Sequence, residues 1–522
     1  MSLEIYDCTL REGEQAEGAS FSLKDRIELC QALDNFGVDY IELGWPIASK
    51  EIFDSFKIAI KKVRNAKIVA FGSTSISKNV EEDENLNAII NCGAKYACIF
   101  GKTDLNHIEF QLKISDRENL EKISQSISFL IKNNIEVFYD AEHYFDGFKA
   151  NKEYAIKTLI SAINSGATRI ILCDTNGGIL PNEAKEIIKE TSEILGEQGL
   201  NFELGVHLHN DSELALANTL ICIPYLKQVQ GTINGMGERM GNLNFSEFLP
   251  IYIKKMNNKT KINLKKLKEI NEKTFRLAGI EIPEKRAFVG DLAFAHKGGI
   301  HIDALLKGAS YEHENPEDFG NERILLLNSL GGRNSIVNLA KEFGYELDKN
   351  NEKIKNKIKK LFQELKEKEN KGYKIGSLNA EKFLLIKKYF GENNLNFKIE
   401  EWNINSEYIN GKENSCFRVG LRLNNELIED EHCVFGGPID AAFKTIQKIL
   451  IKWCPCVEDL KILDFHVSIA KQKEEESTVR TKIEFKNGEE FSTVGVDSNM
   501  LTSAIEALEN GFRYYLLKKE II

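Results

Sequence analysis

The feature that most constrains this chain is an alternation. Over roughly the first 255 residues, a typical length for eight βα units, eight short apolar runs succeed one another: LEIYDCTL, VDYIELG, KIVAFGS, KYACIFG, IEVFYDAEH, TRIILCDTN, FELGVHLHN and KQVQGTING. Helix-length segments such as KDRIELCQALDNFG and NKEYAIKTLISAINSG separate most of them. Alternating strands and helices imply a parallel sheet covered on both faces. Gly37, Gly93 and Gly166 stand where a helix would end in the left-handed conformation before the next strand. The spacing predicts a (β/α)8 barrel over residues 1–258. The rival is an open doubly wound sheet, but no GxGxxG follows the first strand to support it.

Polar residues gather at the C-terminal ends of these runs: Glu12, Glu42, Asp140, Glu142, Asp174, Thr175, His207, His209 and Asn234. In a closed barrel those ends form one rim, where active sites are built. His207 and His209 in GVHLHN are two residues apart in a strand, so both imidazoles leave the same face. Two neutral nitrogen donors make half of a divalent-metal site. The pair Arg11-Glu12, just after the first strand, offers a carboxylate to extend it. The bland alternative is a pair of hydrogen-bonded histidines capping a strand.

Composition excludes several classes. A net charge of −10 opposes nucleic-acid binding, because phosphates would be repelled. The lysine-rich stretch EKIKNKIKKLFQELKEKEN carries Ile354, Ile358, Leu361 and Leu365 at helical spacing, which predicts a solvated amphipathic helix. Apolar runs such as KIVAFG and TRIILC are too short to span a bilayer. MSLEIYD has neither a basic n-region nor an apolar h-region, so no signal peptide is expected. The ten cysteines form no CxxC pair, and reduced thiols in a cytoplasmic protein are expected.

After about residue 258 the pattern turns helical and irregular, and AFAHKGGIHIDALLKGASYEHEN places His296, His301 and Tyr311 among glycines. Residues 259–392 are expected to form a helical linker subdomain that contributes His301 and Tyr311. Residues 393–522 are expected to form a C-terminal α+β domain. Within it, VFGGPIDAAFKTIQKIL and STVGVDSNMLTSAIEALENG each run from a glycine turn into a helix, a weak internal repeat.

Taken together, YDCTLREGEQ, HLHND, NGMGERMGN and AFAHKGGIH resemble the signatures of the acyl-CoA-condensing synthases of the DRE-TIM metallolyase group, which make 2-isopropylmalate, homocitrate or citramalate. GWP at 44–46, YDAEHYFDGFKAN, LCDTNGG and TVGVDSN are most similar to the long-form citramalate branch. The resemblance implies a metal-dependent condensation of acetyl-CoA with a 2-oxo acid, pyruvate in that branch, to give (R)-citramalate and CoA in isoleucine biosynthesis. It implies Glu12, His207 and His209 as ligands of a divalent ion (Mn2+, Zn2+ or Mg2+), with Asn242 as a fourth ligand or the partner of one. Relatives of the leucine branch mostly carry Asp where this chain has Glu12. Arg11 would stabilise the developing alkoxide, with Glu42 orienting it, and Thr175 would hydrogen-bond the oxo acid. His301 is implied as the base, with Glu142 and Tyr311 polarising or relaying the proton; any of the three can be the acceptor. His143 and His296 read as structural.

The C-terminal part resembles the allosteric module of such synthases, which implies isoleucine as effector and a homodimer; a dimerisation domain that binds nothing is the plainer reading. Isopropylmalate and homocitrate synthases share the chemistry and differ in the pocket, which Phe71 and Phe100 are positioned to narrow. A metal-dependent acyl-CoA lyase shares the barrel motifs but lacks the region from His301 onward. A metal or amino-acid sensor would leave Arg11 and His301 without a task.

Overall fold

A computed structural model describes residues 3–327, 332–348, 350–391, 396–424, 426–471 and 477–519. Eight parallel strands close into a barrel: β1 (Glu4–Asp7), β2 (Tyr40–Gly44), β3 (Lys67–Ser73), β4 (Tyr96–Lys102), β5 (Glu136–Glu142), β6 (Arg169–Asp174), β7 (Leu204–Leu208) and β8 (Gln228–Gly231). Closure runs through β1 and β8, with Glu4 opposite Gln228 and Asp7 opposite Gly231. The predicted barrel is therefore the observed one.

Local signals account for the surrounding helices. Helix Leu23–Phe36 begins in a capping box, Ser22 accepting from the Asp25 amide at 3.3 Å while Asp25 accepts from the Ser22 amide at 3.0 Å. It ends at Gly37, φ 105°, where an added Cβ would lie 2.4 Å from the Lys261 carbonyl oxygen. The apolar faces of these helices pack on the strands in one large core that includes Leu29, Leu33, Ile41, Ile127 and Val206. A second cluster includes Tyr6, Tyr40, Val69, Cys98 and Phe138, with Tyr40 and Phe138 ring centroids 5.1 Å apart. These side chains fill the barrel interior, so what lies above them is a floored cavity and not a channel.

The chain divides into two compact units, residues 1–294 with 314–322, and residues 295–313 with 323–522. The second holds a parallel pair, β9 (Ala295–His296) and β10 (Ile324–Leu325), and helices Arg333–Glu342, Glu352–Lys371 and Asn379–Phe390. Ile358, Leu361 and Leu365 are buried on one face of the lysine-rich helix, which confirms its amphipathic reading. Two three-stranded antiparallel sheets follow, β11 (Phe397–Ile409), β12 (Lys412–Leu423) and β13 (Glu426–Phe435), then β14 (Lys461–Lys471), β15 (Thr478–Asn487) and β16 (Glu489–Asp497). Each sheet runs into a helix, Pro438–Ile451 and Met500–Lys518. The repeat seen in the sequence is thus a βββα unit used twice.

The cysteine expectation needs correction. Cys8, Cys30, Cys92, Cys98, Cys173 and Cys222 are free and buried, but Cys416 is bonded to Cys433. Cys416 and Cys433 face each other in the β12–β13 register, a proximity that hairpin pairing creates and spacing alone does not reveal.

Candidate active site

The chain leaves β1 in a tight turn in which the Arg11 and Glu12 amides both donate to the Cys8 carbonyl, at 3.1 and 2.8 Å. This turn sends two charged side chains over the barrel mouth. Arg11 Nε donates to Glu42 Oε1 on β2 at 2.5 Å, and its guanidinium also pairs with Glu12. Tyr6 donates to the other Glu42 oxygen at 2.6 Å. The face of the guanidinium lies 3.7 Å from the Phe71 ring centroid. Burial works against ionisation of Glu12, but its neighbours together, Arg11 foremost with His207, His209 and Arg239, outweigh it and hold the carboxyl below its usual range.

His207 ends β7 and His209 follows it, with ring centroids 5.3 Å apart. Ligand atoms of Glu12, His207 and His209 all lie within 4.8 Å of one another. Burial lowers both imidazoles, His207 to about 3, so each is neutral at physiological pH and offers a lone pair. Glu12 Oε1, His209 Nδ1 and Asn242 Oδ1 are buried without a hydrogen-bond partner. Buried polar atoms left unpaired cost about 1–3 kcal/mol each. One carboxylate and two imidazoles form a donor set that suits a divalent cation, and the unpaired atoms beside them fit that use. Asn242 donates from Nδ2 to His207 Nε2 at 3.0 Å, which places it beside the trio as the sequence suggested.

A cavity of about 500 Å3 opens over these groups. Arg11, Glu12, Glu142, Thr175, His207 and His209 line it, as do Trp45, Phe71 and Phe100. The three aromatic rings stand 5.5–6.0 Å apart as one apolar wall. Thr175 Oγ1 accepts from the His143 amide at 2.9 Å, which leaves its own proton to donate. Glu142 lies 2.6 Å from the buried Lys102 ammonium. Asp174 and Asn234 stand apart from the other strand-end residues. Asp174 caps its own loop through the Gly178 and Ile179 amides, and Asn234 bonds Asn271 and Ser246 in a separate buried cluster.

Comparison with known proteins defines the family. The model described as HMGL-like matches residues 2–273, the homocitrate synthase post-HMGL domain-like model residues 288–369, and the LeuA allosteric (dimerisation) domain model residues 378–516. An (R)-citramalate synthase of Aquifex aeolicus is 38% identical over 99% of this chain and 98% of that protein. One from Geobacter sulfurreducens is 38% identical over 100% and 99%, and one from Sulfolobus acidocaldarius 36% over 100% and 98%. This chain belongs to the (R)-citramalate synthase family.

In this member of the (R)-citramalate synthase family, His301 and Tyr311 belong to the second compact unit, where their rings stack at 4.3 Å and both are exposed. His296 Nε2 lies 2.9 Å from Glu312, which Arg323 also grips at 2.6 and 2.7 Å, a structural ion-pair cluster. His143, with φ 60°, stacks its ring on His107 at 3.9 Å. Sequence reasoning gives no task to Trp45, Asp140 and Arg239, which also line the cavity. Trp45 is visible in GWP directly after a strand. Asp140 is legible as a rim position, but nothing local assigns it a task. Arg239 of GERMGN holds Asp211 through two bonds of 2.7 and 2.9 Å and donates to the Thr175 carbonyl at 2.8 Å. Among the described residues, no helix is long and apolar enough to cross a membrane.

Proposed function

We propose that this chain condenses acetyl-CoA with pyruvate and water to give (R)-citramalate and CoA. A divalent ion (Mn2+, Zn2+ or Mg2+) held by Glu12, His207 and His209, with Asn242 beside them, would polarise the keto group of the oxo acid when bound. Arg11, fixed by Glu42, sets positive charge where the keto oxygen gains negative charge as the carbon–carbon bond forms. Thr175 donates its free hydroxyl proton to the pyruvate carboxylate. The acetyl methyl loses a proton to one of His301, Glu142 and Tyr311, and its carbon bonds the keto carbon. The former keto oxygen takes up a proton, and water then cleaves the thioester and releases CoA.

The observation that carries the reading is the meeting of the Glu12–His207–His209 trio and an aromatic wall in one cavity. Trp45, Phe71 and Phe100 give the cavity an apolar wall, and its cations Arg11 and Arg239 are already paired, with Glu42 and Glu12 and with Asp211, which disfavours the second carboxylate of 2-oxoglutarate. The C-terminal part is proposed to pair two copies of the chain and to bind isoleucine, the end product of the pathway such a synthase would open. Thiol release from acetyl-CoA with a panel of 2-oxo acids, with and without a chelator, tests the reading. Pyruvate is expected to be fastest and the chelator to stop the reaction; faster release with 2-oxoisovalerate or 2-oxoglutarate moves the chain to a sister activity.

A further inference from the structure

Beneath the proposed metal ligands, the barrel interior holds a polar line that the reaction above does not use. Gln230 on β8 stands opposite His207 on β7 in the sheet register and is buried. Its Oε1 lies 2.9 Å from His207 Nδ1, and its Nε2 lies 3.3 Å from Asp140 Oδ1. Cys98 donates its thiol to the same Asp140 oxygen at 3.0 Å. The orientation of the Gln230 amide follows from these contacts. Turned over, it would set its oxygen against a carboxylate oxygen that already accepts from Cys98, and its N–H groups against the histidine. With the oxygen toward His207, only a protonated Nδ1 can complete the bond. Asn242 reports the same state from the other side, because its Nδ2–H donates to His207 Nε2 and requires a lone pair there.

We infer that Gln230, with its amide oriented by Asp140, is a positioning residue that holds His207 as the Nδ1–H tautomer and so presents Nε2 as the metal-binding atom. This rests on the metal reading of the site. A histidine free to exchange tautomers spends part of its time with the proton on the nitrogen the cation needs, and its ring is free to tilt. Fixing the remote nitrogen removes both losses, and groups that do so typically contribute about 10–100-fold to metal affinity. The competing account is that Gln230 only fills the barrel interior, a task methionine of similar length performs equally well.

The test is calorimetric titration of Mn2+ into full-length, metal-stripped protein without substrate, comparing parent, Gln230→Met and His207→Ala. The inference expects His207→Ala to lose measurable binding and Gln230→Met to bind about 10–100-fold more weakly, with an unchanged circular-dichroism spectrum. Parent-like affinity in Gln230→Met overturns the inference and leaves the metal reading intact. Parent-like affinity in His207→Ala overturns the metal reading itself. Should Gln230→Met fail to fold, 15N-histidine NMR of the metal-free parent decides. A His207 signal with the proton on Nδ1 upholds the inference, and one with the proton on Nε2 overturns it.

Discussion

Arg11, in the turn after β1, and Glu42 on β2 meet at 2.5 Å, and Glu42 is fully buried beneath the guanidinium. The planar fork of Arg11 thus serves Glu42 and Glu12 together while its face rests on Phe71. Lysine keeps the charge but cannot hold two carboxylates in that geometry. Arg11→Lys is therefore expected to lower kcat about 100–1,000-fold, the usual cost of losing a preorganised group at a developing oxyanion. The fold should survive, because Glu42 keeps a cationic partner. Steady-state rates beside bound-metal content check this, and a rate within tenfold of the parent would remove Arg11 from the chemistry.

Phe100 closes the aromatic wall against Trp45 and Phe71, while the Arg11 guanidinium rests on Phe71, so Phe100 is the member of the wall that reports on pocket size. Phe100→Ala is expected to shift kcat/KM from pyruvate toward 2-oxobutyrate and 2-oxoisovalerate by roughly 10-fold or more, the scale of one or two methylenes in an apolar pocket. Competition assays with paired oxo acids measure the ratio. An unchanged ratio with a lower overall rate would mean that the wall does not set the preference.

Much of this was legible in the sequence, for physical reasons. All eight strand runs are barrel strands, because two-sided burial makes most of them largely apolar, and KIVAFGS matches β3 residue for residue. Glu12, His207 and His209 stand out because residue type and strand periodicity both mark them. Gln230 was invisible: within KQVQGTING it reads as an ordinary polar position, and its partners His207 and Asp140 become neighbours only when the barrel closes. Trp45 carries only a family likeness, since nothing local says that an aromatic after β2 will meet Phe71 and Phe100. The Cys416–Cys433 bond escapes for the same reason, as hairpin register and not spacing brings the thiols together.

Asp7, at the end of β1, is buried and accepts from the Thr9 amide and hydroxyl at 3.0 and 2.9 Å. Burial raises its carboxyl to about 7, from an unfolded value near 3.8. Between those values the folded state keeps a proton that the unfolded chain releases. Stability from this group is therefore full below the unfolded value and is lost as pH rises through about 7. Asparagine copies the neutral form, so Asp7→Asn should gain stability relative to the parent as pH rises from about 4 to about 8. The gain is roughly 1.4 kcal/mol for each pH unit crossed while the folded carboxyl stays protonated and the unfolded one is ionised. Urea melts of metal-free protein at both pH values provide the comparison. A constant difference between variant and parent would mean that Asp7 ionises normally in the fold.

Control by isoleucine must be tested on the intact chain, because the second unit does not divide cleanly near residue 392. Val494 and Val496 of β16 share one core with Leu361, Leu365 and Ile386 of the preceding helices. Buried Glu381 accepts from the Val494 amide at 3.0 Å and from Asn510 at 3.2 Å, and Tyr373 donates to Glu506 at 2.7 Å. A chain ending at 392 strips the strand from these helices and exposes their apolar faces. It is expected to melt at lower temperature and to bind a hydrophobic dye, so its insensitivity to isoleucine would say nothing about a binding site. In the intact chain an effector inhibits only if it binds a less active state more tightly than the active one. Isoleucine is accordingly expected both to bind by calorimetry and to lower the rate of CoA release. Binding with an unchanged rate would overturn the regulatory reading, and absence of binding would leave the C-terminal sheets as a contact between copies.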